Sequence, residues 1–147
     1  MHELLEASGR DGWKAPDLGE IEAALVRHGA ERGRAGEAAE LVGNWLASSF
    51  LAELIEAGAS FRSDIGFRLA LEGDTLLRGT IDLLAEVEGE PPVVIDFKTD
   101  RTLPQDGRLP EAYEIQRDLY AAAIAAARSA EAVRTAYVFL RLSLIHI

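Results

Sequence analysis

The run Val93-Val94-Ile95-Asp96-Phe97-Lys98-Thr99 sets a carboxylate and an ammonium inside an otherwise apolar strand. Side chains alternate along a strand, so Asp96 and Lys98 share one face while Ile95 and Phe97 take the other. Two charges in such a setting are costly unless they are used. The preceding strand carries Gly79-Thr80-Ile81-Asp82, and Gly89-Glu90-Pro91-Pro92 supplies the turn between them. A hairpin folding about Gly89 sets Asp82 directly opposite Asp96. Opposed Cβ atoms lie ~4.5–5.5 Å apart, where two carboxylates repel unless a cation sits between them. Oxygen ligands suit Mg²⁺ or Mn²⁺ better than a soft metal. Lys98 is then placed to stabilise charge on a phosphodiester or to orient the nucleophile. An isolated Asp-x-Lys is usually a surface ion pair. The apolar run before Asp96 and the second aspartate in register favour a metal site.

Outward from this hairpin, Phe61 to Leu71 and Leu76 to Val87 read as strands separated by Gly73-Asp74, so strands 61–71, 76–87 and 93–99 form an antiparallel meander. Asp64 on the first is an accessory carboxylate candidate, although solvation at a strand edge is its simpler role. Residues 101–110 read as a polar loop, 111–128 as an Ala-rich helix and 134–142 as a further strand. On that helix Gln116 and Tyr120 share a face, with Tyr113 one turn earlier. Towards the N-terminus, His2 to Glu6 has helical character, Ser8 to Pro16 is a loop, and Asp17 with Glu20 resembles a capping box opening a helix. Residues 29–36 read as a linker and 37–57 as the longest helix, closed by Gly58. The expected class is α+β: additional N-terminal helices, then helix, three-strand antiparallel meander, helix and strand. Residues 1–147 form one domain that reads as cut at both ends. Leu142 to Ile147 is expected to be a truncated strand, a disordered tail or residues foreign to the parent protein.

With 147 residues, 48% apolar and 27% charged, the chain is long enough for a continuous core and too apolar for disorder. Its 25 acids against 15 Lys+Arg give a net charge of −10, which argues against free-standing affinity for a polyanion. From Arg101 onward, however, six Arg face five acids, leaving the excess negative charge in the first hundred residues. Carboxylates that hold a cation look acidic until the metal is counted. Zero cysteines exclude a thiolate nucleophile, a disulfide framework and a Cys-ligated iron–sulfur cluster. No apolar run reaches the ~20 residues of a membrane span, and no signal-peptide pattern is present. The expected location is cytoplasmic, away from membranes.

Gly79-Thr80-Ile81-Asp82, Val94 to Thr99 and Gln116-Arg117-Asp118-Leu119-Tyr120 together resemble the RecB-type branch of the PD-(D/E)XK nucleases. The likeness is nearest to the C-terminal nuclease domain of RecB and AddA, and it implies a restriction-endonuclease-like core. By that resemblance Asp82 and Asp96 are metal ligands, with His2 and the backbone carbonyl of Phe97 completing the shell. Lys98 is the catalytic lysine, and Gln116 and Tyr120 match the family's QxxxY motif near the substrate. Where relatives often have Glu-x-Pro-Phe, this chain has Asp64-Ile65-Gly66-Phe67, which leaves the role of Asp64 open. The implied activity is Mg²⁺-dependent exonuclease-type hydrolysis of DNA in double-strand break repair, with a fused or partner helicase as in AddAB and RecBCD. No Walker A sequence is present, so a motor would lie upstream. A non-catalytic scaffold or DNA-end-binding module of the same fold is the alternative. A carboxylate-pair glycosidase fits poorly, because Lys98 stands between the acids and no aromatic sugar platform is evident.

Overall fold

Alternation of apolar and polar residues from Phe61 to Lys98 folds the middle of the chain into three antiparallel strands: β1 (Ser60–Ala70), β2 (Leu76–Glu86) and β3 (Val93–Lys98). The computed structural model describes residues 1–104 and 106–147; within the 101–110 loop, Gln105 lies outside the described residues. The β2–β3 pairs Leu83↔Ile95, Leu84↔Val94 and Ala85↔Val93 are all symmetric about Gly89, as the hairpin reading expects. Asp82 and Asp96 stand one step beyond the last of these pairs. Next, helix α5 (Glu111–Arg128) carries the chain over the sheet to β4 (Arg134–Phe139), which pairs parallel to β3. A parallel neighbour requires such a crossover.

Four helices precede the sheet: α1 (His2–Arg10), α2 (Leu18–Arg27), α3 (Ala35–Leu46) and α4 (Ser49–Glu56). Asp17 and Glu20 form the expected capping box, with reciprocal bonds of 2.8 Å each. Three boundaries differ from the sequence reading. Helix α1 extends to Arg10, into the expected loop, and a 3₁₀ turn (Arg32–Arg34) occupies the expected linker. The single helix expected over 37–57 is two. Ser48 adopts an extended backbone (φ −70°, ψ 139°), and its hydroxyl accepts the Leu51 N–H to cap α4. The apolar spacing continues across this break and so conceals it. The strand expected over 134–142 ends at Phe139, and Leu144–His146 pairs antiparallel to it as β5. The result is a mixed five-stranded sheet in the order β1-β2-β3-β4-β5.

Helices α1–α4 bury Leu5, Val42, Trp45 and Leu51 against Leu83, Ile95, Phe97 and Val138 on one face. On the other face, Ile124 of α5 packs with Ile81, Leu84 and Val94. Strand β3 is therefore covered on both sides, which is why its Val-Val-Ile run is continuously apolar. Trp45 is fully buried, edge-on to Phe97 at 5.0 Å and to Trp13 at 5.8 Å. Trp45→Ala is expected to cost about 3–5 kcal/mol, read as a lowered denaturant midpoint. Among the described residues, no helix is long and apolar enough to cross a membrane.

Candidate active site

Strict alternation fails at one place on β1 and β2, and that place positions the acids. The ladder runs Ser63↔Leu83 and then Ile65↔Ile81, skipping Asp64 and Asp82 without a change of register. Asp64 has φ 54°, a left-handed conformation that Asp tolerates better than most residues. Across it the odd-numbered residues exchange faces. Phe61, Leu83 and Ala85 join the core under α1–α4, whereas Ile65, Phe67 and Ile81 pack towards α5. Asp82 thus stands at the crossover, next to the end of β3. Its Oδ2 accepts the Phe97 N–H at 2.9 Å, a donor that points towards β2 beyond the last β2–β3 pair. The N–H and C=O of one strand residue point the same way, so the Phe97 carbonyl faces this side as well.

From the start of α1, His2 reaches the same oxygen, with Nε2 3.1 Å from Asp82 Oδ2. The hydrogen bond that His2 donates to Asp82 is the largest influence on the imidazole and raises its pKa, against the opposing effect of burial. His2, Ser63, Asp64, Asp82 and Phe97 line a cleft of about 40 Å³ between α1 and the sheet. The sequence-derived candidates His2, Asp64, Asp82 and Phe97 therefore border one cleft, although His2 and Asp82 alone among these side chains are hydrogen-bonded to one another.

Asp96 is 6% exposed, on the α5 side. The Lys98 ammonium lies 2.8 Å from its Oδ2. This buried oxygen thus has the ammonium as its ionic partner. Burial, then the field of Asp82, push the Asp96 carboxyl up to about 6, with Lys98 pulling the other way. Acids and lysine thus share one electrostatic site, as the alternation of β3 requires.

Lys98 is held from several sides. Its Nζ donates to Gln116 Oε1 at 2.9 Å and sits 4.2 Å from the Tyr113 ring centre and 5.3 Å from that of Tyr137. Gln116 Nε2 donates to Tyr120 Oη at 3.0 Å, closing the i, i+4 pair expected on α5. The Tyr113 hydroxyl donates to the Asp100 carboxylate at 3.0 Å. Burial raises the pKa of Tyr113, and that of Tyr120 as well.

Two participants escaped the sequence reading. Asp100 continues the Asp96, Lys98 alternation, a signal that was available. Tyr137 could not be found that way, because its place beside Asp96 depends on the parallel β3–β4 pairing. Its hydroxyl lies 2.5 Å from the Tyr113 carbonyl and 3.1 Å from Gln116 Oε1. Tyr137→Phe removes these contacts, at a cost of about 1 kcal/mol. For a chain of this size a melting midpoint lower by about 2–4 °C is expected.

Among the described residues, no three His, Cys, Asp or Glu side chains converge as a metal-holding group. Asp82 is engaged by His2 and the Phe97 amide, and Asp96 by Lys98. The donor chemistry nevertheless fits a hard divalent cation: carboxylate oxygens, an imidazole and a strand carbonyl, one of the carboxylates being buried against the Lys98 ammonium.

Comparison with known proteins yields one family. A sequence description of the PD-(D/E)XK nuclease superfamily matches residues 1–145. No curated protein matches the chain.

Proposed function

The chain belongs to the PD-(D/E)XK nuclease superfamily, and on that premise we propose that it is a Mg²⁺-dependent deoxyribonuclease domain. The observation that supports this most is the buried Asp96 carboxylate, paired with Lys98 and within the field of Asp82. Asp82, Asp96, the Phe97 carbonyl and His2 would hold the cation. When bound, it supplies Lewis acidity and lowers the pKa of a water.

The remaining work falls to this chain's own groups. Lys98 presents a fixed positive charge to the phosphate oxygen on which charge develops, and its contacts with Gln116, Tyr113 and Tyr137 keep it from swinging away. His2 could ligate a cation only as the neutral imidazole, with no proton between it and Asp82. Gln116 and Tyr120 line the α5 side of the substrate path. The likeness to RecB and AddA extends this proposal to exonuclease-type action in double-strand break repair, on strands delivered by a fused or partner helicase. A motor of that kind would present DNA to a domain of net charge −10.

One observation favours a second reading, a non-catalytic scaffold or DNA-end-binding module. Both carboxylates are already satisfied in part by protein groups, and among the described residues no three-ligand group stands preassembled. Incubation with 5′-labelled single- and double-stranded DNA separates the two. Cleavage with Mg²⁺ that EDTA abolishes supports the nuclease; DNA binding with no cleavage in Mg²⁺ or Mn²⁺ supports the scaffold.

A further inference from the structure

Two arginines on the β1–β2 hairpin have no part in the site described above. Arg68 and Arg78 are direct partners across the ladder and both are exposed. Like charges so opposed destabilise a strand pair. Carboxylates outnumber basic groups 25 to 15, yet among the described residues neither guanidinium makes an ion pair or a side-chain hydrogen bond. Among the described residues, Arg10, Arg27, Arg34, Arg117, Arg128 and Arg141 are each paired with an acid, whereas Arg32, Arg62, Arg101, Arg108 and Arg134 are not; what sets Arg68 and Arg78 apart is that they face each other directly across a ladder. The hairpin thus keeps an unrelieved positive pair in an acidic protein.

Its surroundings suit a polyanion. Gly66 and Gly79 flank the pair and leave an open hollow of about 510 Å³ bordered by both arginines. Gly79 is kept bare by packing on the opposite face, where a Cβ would lie 2.5 Å from the Phe67 ring. That ring packs on Tyr120 at 5.2 Å, so alternation turns Arg68 and Arg78 to the face away from α5. This is the side from which α1 packs on β1 and His2 reaches Asp82, so a nucleic-acid strand seated here would cross the sheet at Asp82 to meet Lys98 and Gln116 on the α5 side. Arg78 lies four residues from Asp82 along β2, about 13 Å at 3.3 Å per residue.

We propose that Arg68 and Arg78 form a clamp for the phosphodiester backbone of a single nucleic-acid strand, a few nucleotides from the scissile bond. This rests on the nuclease reading, and deepens it by assigning the strand a path along the hairpin. Each guanidinium can take a phosphate in a bidentate fashion, and a phosphate between them removes their mutual repulsion.

The test compares wild type with the Arg68→Gln/Arg78→Gln double variant, titrating a fluorescent single-stranded oligonucleotide with Ca²⁺ in place of Mg²⁺ across 50–200 mM salt. Loss of two phosphate contacts is expected to flatten the slope of log K against log salt by about 1.4 and to weaken binding roughly tenfold. Cleavage of thymidine 5′-p-nitrophenyl phosphate, too short to span the distance, is expected to stay at the wild-type rate. Arg78→Glu supplies a control for folding: an opposite-charge pair raises the melting midpoint while oligonucleotide binding falls by a similar factor, the net change being two charges in either variant. Unchanged slope and affinity in the double variant overturn the clamp, as does a wild type that binds no oligonucleotide. A wild type that binds with an arginine-dependent slope but cleaves no DNA leaves the clamp standing and removes the nuclease reading.

Discussion

Asp96→Asn is expected to abolish Mg²⁺-dependent DNA cleavage, by about 10³-fold or more, without weakening the metal-free fold. The two effects diverge because Asp96 is poorly placed as a structural residue. Burial and the field of Asp82 raise its pKa to about 6. A carboxyl raised in the folded state binds its proton more tightly there than in the unfolded chain. Its contribution to stability therefore falls as pH rises from about 4 to about 6, and stays low above that range. Ionised Asp96 at pH 7 opposes folding by something on the order of 2–3 kcal/mol. The amide removes that opposition and removes the anionic oxygen offered to a cation. Thermal melts in EDTA at pH 7 should show the variant at or above the wild-type midpoint, while single-turnover cleavage assays show no product. A variant that melts far below wild type would mean that the carboxylate serves the fold.

Lys98→Met should separate metal binding from chemistry. The ammonium lies 2.8 Å from Asp96 Oδ2, where an incoming cation would compete with it. Its removal is expected to leave divalent-ion affinity equal or tighter. The same substitution takes the fixed charge away from the developing phosphate, and loss of one such donor lowers kcat by roughly 10²–10³-fold. The methionine stem retains contact with the rings of Tyr113 and Tyr137, so a misfolded protein is not the expected outcome. Steady-state kinetics on a labelled oligonucleotide, alongside calorimetry with Mn²⁺, reads both effects. Comparable losses of affinity and turnover would place Lys98 among the groups that assemble the metal site instead.

Much of this arrangement was legible in the chain because it obeys the two-residue period of a strand. The turn at Gly89 and the alternation of β3 placed Asp82 near Asp96, and Asp96 beside Lys98, with no tertiary information. The four-residue spacing of Gln116 and Tyr120 placed them together on α5 in the same way. His2 is different. It reaches Asp82 across 80 positions of sequence, and only likeness to a family pointed to it.

What was hidden depended on backbone detail or on long-range pairing. A left-handed Asp64 exchanges the faces of β1 and β2, which no hydrophobic pattern records. The break between α3 and α4 falls within continuous helical periodicity, marked only by the Ser48 hydroxyl. Tyr137 enters the site through a parallel ladder whose register is set by the α5 crossover. Leu144–His146 acquires its strand conformation only from β4.

Calorimetric titration of Mn²⁺ into the wild-type chain and into Asp82→Asn and Asp96→Asn tests the cation site most directly. One saturable binding event is expected in wild type, accompanied by proton release, and is lost in both variants. Binding of equal affinity in all three proteins would contradict that site.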